Sequence, residues 1–360
     1  MKIVTVTSQK AYNYGAVLQS YALQQTLLRC GYENQLLDHT MKNTARKSKH
    51  PKVIARDALL AVLKLLHYKE NKRFQNNFKE FVDKYLLSTK PYHSLEEIFK
   101  NPPEADCYLT GSDQVFALGN LLVPVRFLEF GAREIPRVSY AASLGSYAMN
   151  REQLSYIDSR LRTFSCVSLR EKQGSEYLNR ELGLDCQTHI DPVFLLTQAQ
   201  WEEILPEKSR VDGEYILCFP MLNNKNLQYT IDQLKKQTGL PVISVQTKFF
   251  KTVKADKYLY DVSVPEFLHF IKNAAAVITT SFHCTALSVI FHRPIYSLVG
   301  RYKPERVQNL FAMLGMQDRV ITEETVQLPP MEVSYDEADR VIAAERGHSF
   351  AYLNSISNLM

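Results

Sequence analysis

Short β-branched and aliphatic runs alternate along the chain with longer stretches whose apolar positions recur every three to four residues. The first run, residues 2–7, predicts a strand. Residues 16–28 follow with Val17, Leu18, Tyr21, Leu23, Leu27 and Leu28 spaced for a buried helix, and Gly31 stands where a C-cap belongs. Residues 35–38 predict the next strand, and a strand–helix–strand opening favours a mostly parallel sheet. Further strands are predicted at 106–110, 137–141 and 166–169, with helices at 151–162 and 171–182. The pattern restarts around 191–198. Strands at 215–219, 242–245, 276–280 and 294–298 are interleaved with helices at 226–237, 264–273, 284–291 and 305–314. A helix over 335–358 closes the pattern.

At roughly 100–200 residues per domain, 360 residues suit two α/β domains. We read their boundaries as 1–192 and 193–334, followed by a C-terminal helix over 335–360. No internal repeat is visible. A cleft between two such domains is the default binding site.

Composition narrows the field. Hydrophobic residues make up 45% and charged residues 22%, which excludes a disordered, collagenous or coiled-coil chain. No apolar stretch approaches the ~18 residues of a membrane span. The first residues carry no long apolar core of a secretory signal, so a cytoplasmic protein is expected. The six cysteines (Cys30, Cys107, Cys166, Cys186, Cys218 and Cys284) are scattered, with no C-x-x-C pair. Neither a zinc site nor a disulfide framework is signalled, and no metal or cofactor is expected. The net charge of +5 is local: residues 41–75 hold ten Lys or Arg against Asp57 and Glu70, and the remainder is slightly acidic. This basic segment, placed within a helical stretch over 41–86, carries Leu59, Leu60, Val62, Leu63, Leu65 and Leu66 as a broad apolar face. Basic flanks around such a face suit the surface of an anionic bilayer; they equally describe a core helix with solvated lysines. No nucleic-acid motif accompanies the charge, and no nucleic-acid partner is expected.

The fingerprints of nicotinamide enzymes, P-loop NTPases, zincins and serine hydrolases are absent. What remains are polar clusters just after predicted strands, where α/β proteins gather ligands. Asn13 and Gly15 sit at the mouth of the first helix, whose N–H groups attract anions or hydroxyls; a plain cap and tight turn also explain them. Thr110-Gly-Ser-Asp-Gln114 follows a strand. There Gly111 permits a sharp turn, Ser112 and Asp113 project, and Asp113 suits a general base on a sugar hydroxyl. An Asx or Ser cap is the other reading. Arg170 in Ser168-Leu-Arg-Glu-Lys172 is placed to clamp a carboxylate or phosphate, or to form a surface ion pair with Glu171 or another nearby acid. Thr280, Ser281 and His283 lie between a strand and a helix N-terminus, an anion cradle with an imidazole in it. Arg301, after the 294–298 strand, is placed to add positive charge to the same cleft; a solvated surface residue is the other reading.

These clusters occur together, in this order, in one family. The motifs are N-Y-G-A-V-L-Q-S-Y-A-L-Q at 13–24, G-S-D-Q-V-F at 111–116 and S-Y-A-A-S-L-G at 139–145. V-S-L-R-E-K at 167–172, D-P-V-F-L-L at 191–196 and T-S-F-H-C-T-A-L at 280–287 complete the set. The sequence resembles the polysaccharide pyruvyl transferase family from residue 3 to about residue 315. The resemblance implies two Rossmann-like domains facing across a cleft, similar to the GT-B glycosyltransferases. It implies phosphoenolpyruvate as donor and a sugar hydroxyl pair of a bacterial surface polysaccharide as acceptor, the acceptor often being lipid-linked. Peripheral contact with the inner face of the cell membrane would then be in keeping. By motif position, Arg170 and His283 would serve donor binding or catalysis. Two positions depart from the pattern: Cys284 stands where many relatives have Gly, and Phe116 where many have Trp.

Phosphoenolpyruvate is an enol phosphate with a carboxylate, so its site needs cations and N–H donors. Arg170, Asn13, Gly15, Ser112, Thr280, Ser281 and Arg301 are the expected binding residues. His283 is the expected acid and Asp113 the expected base. The alternative is a GT-B glycosyltransferase using a nucleotide sugar.

Overall fold

The computed structural model describes residues 1–39, 62, 65–118, 123–145, 149–222, 224–247, 251–300 and 304–359. Most of the basic segment over 41–75, and Arg301, lie outside these residues. The chain divides into two compact units. One comprises Met1–Lys47, Val82–Leu195 and Ala344–Met360; the other comprises Ser48–Phe81 and Leu196–Ala343.

In the N-terminal unit, β1 (Lys2–Val6), β2 (Glu33–Leu36), β3 (Cys107–Gly111) and β4 (Arg137–Tyr140) form a parallel sheet in the order β2-β1-β3-β4. β5 (Val167–Leu169) and β6 (Cys186–Thr188) pair with each other. Bridges from Val138 to Cys166 and from Ala142 to Leu169 continue the sheet from β4 onto them. Segment 87–92 runs parallel beyond β2, joined at Leu36–Ser88 and His39–Tyr92. The inner strands are buried along nearly their whole length, as covering on both faces requires.

Helix α1 (Tyr14–Arg29) is buried from Tyr14 to Gln24, polar residues included. Most of those polar groups have partners within the protein. Ser20 Oγ and Thr26 Oγ1 donate to Ala16 O and Ala22 O. The Gln24 amide both donates to Leu87 O (2.9 Å) and accepts from Leu87 N (2.8 Å). One side chain thus holds the edge segment as a neighbouring strand would.

Helix α2 (Tyr68–Tyr85) carries Phe74, Phe78 and Phe81 on its buried face, as its periodicity predicts. Helices α3 (Arg151–Leu161) and α4 (Lys172–Leu182) complete the longer helices before residue 195.

In the C-terminal unit, the strands are β7 (Ile216–Phe219), β8 (Val242–Val245), β9 (Lys257–Leu259), β10 (Ala276–Thr279), β11 (Ile295–Leu298) and β12 (Val320–Ile321). They pair in parallel in the order β9-β8-β7-β10-β11-β12. This is the doubly wound order 3-2-1-4-5-6 of Rossmann sheets. Helices α5 (Leu227–Thr238), α6 (Val264–Asn273), α7 (Phe282–Ile290) and α8 (Glu305–Leu314) connect the strands. Local chemistry sets their ends. Ser263 and Glu266 form a capping box ahead of Pro265 in α6. Gly239 and Gly315 take the left-handed conformation after α5 and α8. Helix α9 (Asp336–Ser355) runs with the C-terminal unit to Ala343 and with the N-terminal unit from Ala344. In its second half, Tyr352 OH donates to Ser139 O (2.7 Å) and Arg346 Nε to Phe194 O (2.9 Å). Among the described residues no helix is long and apolar enough to cross a membrane.

The structure corrects several expected elements. β2 starts at Glu33, two residues before the predicted strand, because Glu33 N donates to Met1 O and the Asn34 side chain donates to Ile3 O and Thr5 Oγ1. Polar residues on a strand hid its beginning. The short edge strands β6, β9 and β12 and segment 87–92 were not predicted.

Candidate functional site

Each sheet has a switch point, where successive connections leave in opposite directions and open a crevice at the carboxyl ends of the strands. In the C-terminal unit it lies between β7 and β10, which pair through to Phe219 and Thr279. Thr280 and Ser281 come next, then α7. Thr280 Oγ1 accepts from Met221 N and Leu222 N, both at 2.9 Å, and so shapes the loop after β7. Ser281 caps α7 by accepting from Cys284 N. Its own N–H donates to Thr279 Oγ1. His283 stands in the first turn of α7, 8% exposed, with its ring edge-on to Phe282 at 5.2 Å. The positive end of the helix dipole falls here. Cys284 is fully buried, and burial pushes its thiol up to about 12. It is therefore a packing residue at neutral pH and no nucleophile. Arg306, which sequence reasoning missed, lays its guanidinium 5.1 Å from the centre of the Phe282 ring.

In the N-terminal unit the switch point lies between β1 and β3. The loop after β3 is strained: Ser112 and Asp113, neither a glycine, have φ of 42° and 56°. Gly111 itself is needed for a different reason from the one its sequence suggests. A Cβ there would run into the buried Leu23 side chain of α1, so the glycine makes room for that side chain at the end of β3.

Ser112 N donates to Tyr140 O, and its Oγ donates to Asp191 Oδ2 at 3.3 Å. The same oxygen accepts from Arg170 Nη1 at 2.7 Å. Asp191 Oδ1 accepts from Val193 N. Arg170 Nε also donates to Glu171 Oε1 at 3.1 Å, and all three charged side chains are buried. Burial disfavours the Arg170 charge, but the Glu171 and Asp191 carboxylates more than offset it and raise its pKa. The Arg170–Glu171 pair weighed from sequence is therefore present, and buried. Asp191 is the residue sequence reasoning overlooked, although it opens the D-P-V-F motif.

Asp113 lies within electrostatic reach of both Arg170 and Arg126. Asn13 is exposed and uses its side chain to cap α1, accepting from Ala16 N at 3.2 Å. Gly15 is buried in the first turn. The N-terminal unit thus brings Ser112 and Arg170 together through Asp191, and the C-terminal unit brings Thr280, Ser281 and His283 together. Among the described residues no group of three or more His, Cys, Asp or Glu is arranged to hold a metal.

Comparison with protein families matches residues 13–300 to the family model described as polysaccharide pyruvyl transferase. No curated protein matches the sequence. Among solved structures, the chain is similar to a Staphylococcus aureus MnaA–UDP co-structure, at 10% identity and TM-score 0.52, covering 98% of this chain and 90% of that one. It is also similar to the UDP-N-acetylglucosamine 2-epimerase of Rickettsia bellii, at 10% identity and TM-score 0.50, covering 100% and 95%. A third similar structure is the Escherichia coli heptosyltransferase WaaC with ADP, at 14% identity and TM-score 0.41, covering 98% and 100%. At these identities the likeness is one of fold. The chain has a GT-B-like α/β fold, as its sequence leads one to expect.

Proposed function

Because the chain belongs to the polysaccharide pyruvyl transferase family, we propose that it moves the pyruvate unit of phosphoenolpyruvate onto two hydroxyls of a sugar in a bacterial surface polysaccharide or its precursor. One observation carries this reading. The matched residues include both switch-point clusters, with Ser112, Asp113, Arg170 and Asp191 in one unit and Thr280, Ser281 and His283 in the other.

In the proposed reaction, a proton adds to the methylene carbon of the donor while one sugar oxygen bonds to C2. The second sugar oxygen then bonds to C2 as the C2–O bond to phosphate breaks. Of the two hydroxyl protons released, one balances that added to carbon and one leaves with inorganic phosphate. His283 supplies the carbon proton. The N-terminus of α7, with Thr280 and Ser281, stabilises the donor's negative charge. Asp113 accepts a hydroxyl proton. Arg170, fixed in place by Asp191 and Glu171, presents a permanent positive charge. Arg301 is assigned to donor binding from its motif position alone. An acceptor carried on a lipid is in keeping with the exposed apolar residues Val62, Leu65, Leu66 and Tyr68.

The test is phosphate release from phosphoenolpyruvate with candidate glycans, together with detection of a new pyruvate ketal. His283→Ala and Arg170→Ala are each expected to lower the rate by ~10²–10³. Full activity in both would refute these roles. A second reading, glycosyl transfer from a nucleotide sugar, draws on the 3-2-1-4-5-6 order of the C-terminal sheet, which in many proteins binds nucleotides. It predicts thermal stabilisation by UDP and none by phosphoenolpyruvate; the first reading predicts stabilisation by phosphoenolpyruvate.

A further inference from the structure

We infer that Arg126 is an anion-binding residue, taking a phosphate or carboxylate of the substrate at the carboxyl end of the N-terminal sheet. Arg126 closes the helical turn Val123–Arg126, and its neighbours Val125 and Phe127 are both buried. They anchor the backbone and hold the arginine beside the loop after β3. Its Nη1 lies 3.5 Å from Gln114 O, at the outer limit of a hydrogen bond. No other hydrogen bond, and no carboxylate in ion-pair contact, serves this guanidinium among the described residues.

The buried arginines of this unit are treated differently. Arg170 has Asp191 and Glu171. Arg137 donates to the carbonyls of Leu128, Phe130 and Ile135 at 2.8–2.9 Å. Arg126 is half-buried with most of its donor capacity unused. Taking an unpaired cation out of water is costly. Burial accordingly pulls its pKa down, against the opposing pull of the Asp113 carboxylate. Asp113 stands near enough to feel the charge without pairing with it.

Such an arrangement is poor as architecture and well suited to a ligand. A planar guanidinium with free donors matches the paired oxygens of a phosphate or carboxylate. Its place beside Ser112 and Asp113, at the switch point, is where a substrate is expected. The identity of the anion rests on the proposed transfer. Phosphoenolpyruvate carries both groups, and an acceptor held on a diphosphate carries one of them.

Isothermal titration of the full chain with phosphoenolpyruvate and with inorganic pyrophosphate tests the inference, using wild type, Arg126→Gln and Arg126→Lys. Thermal unfolding without ligand is measured alongside. Arg126→Gln is expected to weaken at least one anion ten-fold or more, about 1.4 kcal/mol, and Arg126→Lys to bind with intermediate affinity. The ligand-free Tm of Arg126→Gln should be unchanged or higher. Selective loss of phosphoenolpyruvate assigns the donor; selective loss of pyrophosphate assigns a phosphorylated acceptor. Unaltered affinity for both anions, or no binding of either by wild type, overturns the inference. A Tm lowered by several degrees with affinity intact also overturns it, by marking Arg126 as structural. Arg126-dependent anion binding without ketal formation would refute the proposed transfer while leaving this inference standing.

Discussion

His189 shows how closely one residue is determined by its surroundings. It is buried, its Nδ1 lies 2.7 Å from Ser168 Oγ, and its ring packs against Tyr352 at 4.4 Å and Tyr140 at 5.9 Å. Burial, helped by the nearby His348, pushes its pKa down to about 4. The unfolded chain, with an ordinary imidazole near 6.5, binds a proton more readily than the native one. Stability is therefore full above about pH 6.5 and falls as the pH drops toward 4. Between pH 7 and pH 5 the loss should be about 2 kcal/mol. Urea unfolding of wild type and His189→Gln at the two pH values checks it: the variant should lose that share of the pH dependence, whatever its overall stability. Sequence gave His189 no special context, because its partners Ser168, Tyr140 and Tyr352 come from three separate places in the chain. The same holds for Asp191. Arg170 and Ser112 were legible as candidates, but their meeting on one carboxylate depends on strands far apart in sequence.

At the scale of elements, periodicity and caps located most of the longer helices within a few residues and missed the short ones at Leu95–Lys100, Val123–Arg126 and Gln198–Glu202. They also failed for β6, β9 and β12, each of three residues or fewer. β6 and β9 expose polar positions and β12 is only two residues long, so none builds a readable apolar run, and neighbours and not propensity define them. Helix α2 and the residues before it raise a different matter. Val62, Leu65, Leu66 and Tyr68 are 54%, 75%, 73% and 58% exposed, next to Lys69 and Lys72. Such spacing of large apolar and basic residues supports the proposal that this segment rests on an anionic bilayer. Co-sedimentation with phosphatidylcholine vesicles, with and without phosphatidylglycerol, provides the measurement. Binding should require the anionic lipid, weaken with salt, and be lost in Leu65→Glu/Leu66→Glu. Binding indifferent to lipid charge would count against the proposal.

For the molecule as a whole, the sequence pattern restarts near residue 191, and the chain divides into two compact units. The division of α9 between them was not legible, since a helix carries no sequence mark of which core it serves. Its second half contributes Tyr352, Arg346 and the Leu353 carbonyl, which accepts from Tyr32 OH at 2.9 Å. Leu353 and Ile356 are themselves buried. A chain ending after Ala343 should therefore lose cooperative unfolding of the N-terminal unit, seen as loss of hydrogen-exchange protection in β1, β3 and β4. Protection in β7 and β10 should be retained; unchanged protection throughout would contradict this account.

That shared helix also orders events at the ribosome. Residues that finish the first-made unit are translated only after Leu196–Ala343 has been synthesised, a delay on the order of ten seconds. Until then the nascent N-terminal half lacks the side chains of Tyr352, Leu353 and Ile356, which are buried in the finished protein.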